Sequence, residues 1–254
     1  MSMMKTPAQM VQLFRTVGAR KARLPAGRCL LLAFMAGMMI GLAGVGSAVA
    51  QAAAGNGSLA RLAGAAVFPA GLMLVVGCGA ELFTGNSLMV IALAERDISP
   101  GGMLRNWGLV YLGNLAGAAC MAVVCRAADL GNLMNGALGT FFVSAAESKA
   151  TLGFLPALSR GVLCNVLVCA AVMMAAGAEN GADKCAVIFF PVMLFVLCGF
   201  EHCVANMFYL PMGLLCGAGQ AAGMAKNLLS VTLGNVLGGV GFALICRAGH
   251  GKTE

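Results

Sequence analysis

Gly79-Ala80-Glu81-Leu82-Phe83-Thr84-Gly85-Asn86 returns in altered form as Gly199-Phe200-Glu201-His202-Cys203-Val204-Ala205-Asn206. Both stretches read G-x-E with an Asn five residues after the Glu, and both interrupt long apolar runs. Further along, Leu112-Gly113-Asn114 follows the first stretch and Leu233-Gly234-Asn235 the second. Glu81 precedes Asn114 by 33 positions, and Glu201 precedes Asn235 by 34. Self-similarity at a fixed offset marks a repeated structural unit.

The background of these motifs is apolar. The 254 residues are 60% hydrophobic and 10% charged, with a mean hydropathy of +0.91. A soluble domain carries about 25% charged residues, so this chain lacks the polar surface to coat a globule. Runs near the roughly 20 residues that cross a bilayer core as helix make it a membrane protein. The runs are continuously apolar rather than alternating, which excludes strands. Six spans are expected, near 29–50, 62–94, 104–125, 152–177, 185–213 and 227–246, with a polar Gly/Asn-containing stretch up to about 150. The second and fifth are too long for one simple crossing and carry the two motifs. Each copy of the unit then holds three spans, an odd number, so the copies insert upside down relative to one another. The expected fold is an all-α membrane protein of six transmembrane helices, two inverted three-helix repeats with broken second and fifth helices. Such pairs of interrupted helices mark transport sites near the midplane.

The net charge of +7 does not point to nucleic acid. It gathers at Lys5, Arg15, Arg20, Lys21, Arg23 and Arg28, beside the first span, as the positive-inside rule requires of a cytoplasmic segment. With both termini cytoplasmic, Arg96, Arg105, Lys184, Arg247 and Lys252 join that side, against Arg61, Arg126, Lys149, Arg160 and Lys226 on the other. The chain is expected to divide into a cytoplasmic basic segment (1–28), a six-helix transmembrane domain (29–246) and a cytoplasmic tail (247–254). Basic residues, an apolar run and Ala48-Val49-Ala50 imitate a cleaved signal, but the run from Cys29 to Ala50 is long enough to be a retained span. The 36 Gly suit close helix contacts in lipid. The 11 Cys contain no C-x-x-C pair and read as small buried hydrophobes. No metal or cofactor is expected.

Glu81 and Glu201 are ionisable groups at membrane depth, costly there and functional by default. Their presence in both copies favours a structural role, capping amides freed by a broken helix. His202 breaks the symmetry, since Leu82 stands at its place in the first copy. A His there donates to an anion or carries a proton near neutrality; its bland alternative is a satisfied core residue. Asn86, Asn114, Asn165, Asn206 and Asn235 are amides at membrane depth, suited to unwound backbone or to a lumen. Lys149, just before the fourth span, attracts anions to a mouth or is merely a solvated loop lysine. No Ser-His-Asp set, zinc spacing or phosphate loop accompanies them, so an intramembrane enzyme or a scaffold subunit is a remote alternative.

At these motifs the chain resembles the formate/nitrite transporter family. The resemblance rests on Cys78-Gly79-Ala80-Glu81-Leu82-Phe83-Thr84, Asn106-Trp107 with Tyr111-Leu112-Gly113-Asn114-Leu115, Cys164-Asn165-Val166-Leu167-Val168-Cys169, Gly199-Phe200-Glu201-His202 with Val204-Ala205-Asn206-Met207, and Val231-Thr232-Leu233-Gly234-Asn235. It implies an aquaporin-like fold and a homopentamer with one pore per protomer, in the inner membrane. Met207 after Asn206 and Ser87 after Asn86 depart from the Asn-Pro-Ala of an aquaporin, so water or glycerol is not the substrate. The resemblance places Phe68, Leu72, Leu82 and Phe195 at two apolar constrictions and Thr84 in the loop breaking the second helix. It places His202 in the lumen with Asn165 and Asn235 beside it, and Lys149 in a vestibule. The substrates implied are nitrite, formate, hydrosulfide or other small monovalent weak acids such as lactate and acetate, by proton coupling or as a channel. Asn227-Leu228-Leu229 before Val231-Thr232, and Glu81 to Gly85, lean to the nitrite branch. A bare anion loses hydration worth many kcal/mol in an apolar ring; a vestibule lysine, helix N-termini and transient protonation of the anion lower that cost.

Overall fold

The computed structural model describes residues 4–55 and 57–251. Lys252 and the end of the expected tail lie outside the described residues. The described chain is helical: α1 (Pro7–Ala22), α2 (Ala26–Ala53), α3 (Ser58–Val67), α4 (Ala70–Gly77), α5 (Val90–Ala94), α6 (Pro100–Ala127), α7 (Ala137–Ala150), α8 (Phe154–Gly177), α9 (Gly181–Leu197), α10 (Cys203–Leu215) and α11 (Ala221–His250). Five stretches are long and apolar enough to cross a membrane, namely Ala26–Ala53, Ser58–Gly77, Pro100–Ala127, Phe154–Gly177 and Ala221–His250. The fifth expected span is divided between α9, 17 residues long, and the apolar α10.

Two helices lie where the apolar runs suggest none. The basic segment holds α1, started by a capping box in which Thr6 Oγ1 accepts from Gln9 N and Gln9 Oε1 accepts from Thr6 N, with Pro7 at the first helical position. Met10, Val11, Phe14 and Gly18 form its one buried stripe. The polar stretch before residue 150 holds α7, whose Leu138, Phe142, Ala146 and Ala150 recur every four residues and are buried. Both stripes are too narrow for a membrane span and read instead as helices packed on one side.

α2 packs along α6 and α8 along α11. In lipid the hydrophobic effect drives little helix association, so close packing and hydrogen bonds carry it. Small residues allow that closeness: Gly117 of α6 lies on the Phe34 backbone of α2, and Gly234 of α11 on the Leu158 backbone of α8. α10 runs between these pairs, against α6, α2, α7 and α11, and every residue from Cys203 to Leu210 is buried. The outward faces remain apolar, with Leu31, Leu112, Val123, Leu155, Leu237 and Ile245 exposed.

The two long spans do break. α4 ends at Gly77 and α9 at Leu197. Gly79 and Gly199 follow at φ 66° and 70°, in the left-handed region where a side chain is disfavoured. After Gly79 the chain runs on to Thr84 and resumes through a 3₁₀ turn, Gly85–Met89. After Gly199 it resumes directly as α10, with His202 as N-cap.

Candidate functional site

A broken helix in lipid must satisfy its freed backbone internally, and matching asparagines do so. Asn114 Oδ1 accepts from Phe83 N at 2.9 Å, while its Nδ2 donates to Glu81 O at 2.9 Å and Ala33 O at 2.8 Å. Asn235 Oδ1 accepts from Cys203 N at 2.8 Å, and its Nδ2 donates to Glu201 O at 2.9 Å and Gly161 O at 2.8 Å. Glu81 N donates to Leu32 O and Glu201 N to Arg160 O. The expectation that the two carboxylates cap these amides is therefore corrected. An Asn amide both donates and accepts, which a carboxylate cannot, and here one donor and two acceptors need partners.

The carboxylates hold side chains instead. Lys21, in the last turn of α1, donates to Glu81 Oε2 at 2.7 Å and Asn86 Oδ1 at 2.8 Å. Asn86 Nδ2 donates to Glu81 Oε2 and to Asn106 Oδ1, both at 2.8 Å. Lys149, in the last turn of α7, donates to Glu201 Oε1 at 2.8 Å and Oε2 at 2.9 Å. Asn206 Nδ2 donates to Glu201 Oε2 at 2.7 Å and Asn227 Oδ1 at 2.9 Å. Lys149 is thus no solvated loop lysine, and its charge is matched by a carboxylate. Sequence reasoning missed Lys21, Asn106 and Asn227. The two asparagines had a signal, since they follow Asn86 by 20 positions and Asn206 by 21.

Between the breaks, Thr84 Oγ1 lies 3.0 Å from His202 Nε2, and both side chains are buried. His202 Nδ1 accepts from Ala205 N at 3.1 Å, so in the neutral ring the hydrogen resides on Nε2 and points to Thr84. The imidazole stacks on Phe195 at 5.9 Å between ring centres, and Phe195 meets Phe68 edge-on at 5.9 Å. Asn165 Nδ2 donates to Thr84 O at 3.2 Å, Ser87 Oγ at 3.2 Å and Asn235 O at 2.6 Å. Its Oδ1 has no hydrogen-bond partner among the described residues. Asn235, expected beside the lumen, spends both ends of its amide on backbone.

A cavity opens toward each end of this centre. One, of about 230 Å³, is lined by Phe68, Phe195, His202, Lys149, Glu201 and Arg61 among others. The other, of about 210 Å³, is lined by Leu72, Leu82, Gly85, Lys21, Arg20 and Lys184 among others. Phe68, Leu72, Leu82 and Phe195 are all buried, so the aromatic pair stands on the Lys149 side and the leucine pair on the Lys21 side. Among the described residues no group of three His, Cys, Asp or Glu could hold a metal ion. The centre offers hydrogen-bond donors, cations behind carboxylates and apolar walls, the materials of a selective path for a small anion.

Known proteins share this plan. The model of the "Formate/nitrite transporter" family matches residues 8–248. A probable formate transporter of Methanothermobacter thermautotrophicus is 37% identical over 261 residues, covering 95% of each chain. The formate channel FocA of Escherichia coli K12 is 34% identical over 255 residues, 92% of this chain and 90% of its own. Among solved structures, an FNT family ion channel superposes with a TM-score of 0.84 at 30% identity, covering 92% of this chain and 95% of its own. A pentameric formate channel with formate bound gives 0.76 at 34% identity, covering 87% and 95%. The chain belongs to the formate/nitrite transporter family of membrane transport proteins.

Proposed function

We propose that the protein carries formate and similar monovalent weak-acid anions across the inner membrane, along a path through each protomer of a homopentamer. The observation that carries this reading is the buried Thr84–His202 contact at 3.0 Å, set where two broken helices meet and between two cation-lined cavities. In this reading the helices form six spans in two inverted repeats, with α9 and α10 together making the fifth and both termini cytoplasmic. The Phe68/Phe195 and Leu72/Leu82 pairs are the constrictions. Formate stands first among substrates because the curated relatives are formate transporters and channels; nitrite and hydrosulfide come next.

His202 acts as a neutral donor. A second proton on its ring would go to Nδ1 and break the cap on Ala205 N, so the stable form offers Nε2–H to Thr84 or to a passing anion. The N-terminus of α10 lies at the same place and adds a positive partial charge. The anion takes up a proton in the cavity on the entry side, crosses the apolar pairs as neutral acid and releases the proton to water in the cavity on the far side. That avoids most of the desolvation cost of a charge.

Purified protein in liposomes tests this. Formate influx is expected above protein-free vesicles and rises with external acidity, since above its pKa the protonated fraction of a weak acid grows roughly tenfold for each pH unit of acidification. Nitrite and hydrosulfide serve as competitors, sulfate as the excluded divalent. Vesicles that take up no formate, or that pass sulfate equally well, would overturn the reading.

A further inference from the structure

Not every cation at the Lys149 mouth is matched by an acid. Lys149 is bound to both oxygens of Glu201, so that pair contributes no net charge. Arg61, near the start of α3, lines the same cavity and is exposed. Among the described residues it makes no ion pair and no side-chain hydrogen bond. Among the charged side chains that line this cavity, Arg61 is the one left unmatched.

Its placement is specific. A wider cavity of about 750 Å³, lined by Gln51, Arg61, Asn135, Thr140, Phe141, Ser144 and others, adjoins the narrow one and has no acid among its described lining residues. Gln51, Arg61 and Phe141 line both, so the guanidinium sits in the neck between them. The guanidinium also lies beside the glycine that turns the second break: a Cβ on Gly199 would be 2.6 Å from Arg61 Nη2.

We propose that Arg61 forms an anion-recruiting site at the entrance of the Lys149 cavity, taking planar two-oxygen anions such as carboxylates and nitrite ahead of the constriction. The proposal rests on the reading of the chain as an anion path. A guanidinium presents parallel N–H donors matched to two oxygens on one atom, whereas an ammonium offers a point charge. Fixed charge in a cleft with low-dielectric walls concentrates counter-ions. Arg61 acts before the rate of crossing is decided, so it governs the concentration dependence of flux and leaves its ceiling unchanged.

Arg61→Gln, Arg61→Lys and wild-type protein in liposomes provide the test. At low ionic strength Arg61→Gln should raise the half-saturating formate concentration by about 3- to 10-fold, with maximal flux unchanged. At high ionic strength the difference should shrink, because the interaction is screened. Arg61→Lys should keep most of the charge effect and lose the preference for formate over hydrosulfide. A second readout needs no transport: mass spectrometry follows phenylglyoxal modification of Arg61 in purified wild type, and formate should slow it. Unchanged half-saturation at low salt, equal loss of maximal flux at both salts, or modification indifferent to formate would each overturn the site. Formate protection in wild-type protein that passes no formate would instead overturn the transport reading and leave the site standing.

Discussion

The two breaks satisfy the same backbone in the same way but secure their carboxylates differently. At Glu81 the lysine comes from α1, bridges the carboxylate and Asn86, and leaves neither amide of Asn86 nor Asn106 without a partner: Asn106 Nδ2 donates to Lys21 O at 3.2 Å. At Glu201 the lysine comes from α7 and spends itself on both carboxylate oxygens. Asn206 Oδ1 and Asn227 Nδ2 are then left without protein partners among the described residues. One network is closed, and the other keeps a buried spare acceptor and a buried spare donor, with Asn206 lining the cavity that also holds Arg61. The difference teaches that the paired Asn and Glu residues are scaffold common to both breaks, and it makes the positions that differ, His202 against Leu82 foremost, the ones on which the proposed function turns.

The largest effect expected from breaking this comparison is loss of a lysine. Removing one partner of a buried ion pair strands the other charge, at about 3–5 kcal/mol. Lys149→Ala strands Glu201 with both oxygens bereft of their cation and should sharply lower the melting temperature of the purified oligomer. Lys21→Ala removes one bond to Glu81 and should cost less. Glu201→Ala should lower expression as well, since it frees Lys149 and Asn206 together. Equal melting temperatures for Lys149→Ala and wild type would show that Lys149 serves the vestibule alone.

Much of that scaffold is legible in sequence. The G-x-E motifs, the Asn five positions on and the L-G-N triplets mark the breaks and the asparagines that cap them. Sequence shows which polar groups share a break but not how many donors and acceptors each must satisfy, so it does not tell Asn from Glu as the group that holds the freed backbone. Lys21 is hidden for another reason: it lies 60 positions before Glu81 in a segment whose charge already has an explanation in topology. Its counterpart lies 52 positions before Glu201, so spacing alone aligns them poorly. The α7 helix was legible in its four-residue stripe, yet a polar stretch between spans draws the eye to loops. That Arg61 is unmatched while Lys149 is matched depends on side-chain geometry, which no spacing encodes.

A middling effect separates the two tasks of His202. His202→Phe removes both the cap on Ala205 N and the donor to Thr84. Its cap loss should cost about 0.5–2 kcal/mol, lowering the melting temperature modestly while formate flux falls. His202→Asn restores a good N-cap but places no donor at the Nε2 position. Its melting temperature should approach wild type with flux still depressed. Wild-type flux in both variants would make His202 a structural residue, and the only functional asymmetry between the breaks would then lie at the mouths.

The smallest effect concerns α1, which delivers Lys21 and is itself tethered at the surface. Arg15 Nε donates to Asp97 Oδ2 at 2.8 Å and Nη2 to Oδ1 at 3.1 Å, and Glu95 joins Arg15 and Arg247. His250 faces the same small cavity as Arg15 and Glu95. The bond from Arg15 holds the Asp97 carboxyl below its ordinary value. A depressed carboxyl stabilises docking at pH above its unfolded value and loses that contribution as pH falls through the folded one. The tether should therefore hold from neutrality down to about pH 4, the ordinary Asp range, and loosen only below it. Hydrogen exchange of the α1 amides, followed against pH, measures this. Asp97→Asn should speed that exchange at neutral pH, slightly because the pair is only half-buried and partly screened, and leave the pH response of formate flux near neutrality unchanged. Loosening of α1 near neutrality in wild type would show that the Arg15–Asp97 pair is not what holds α1, and the closed network around Lys21 would then be the one that opens with pH.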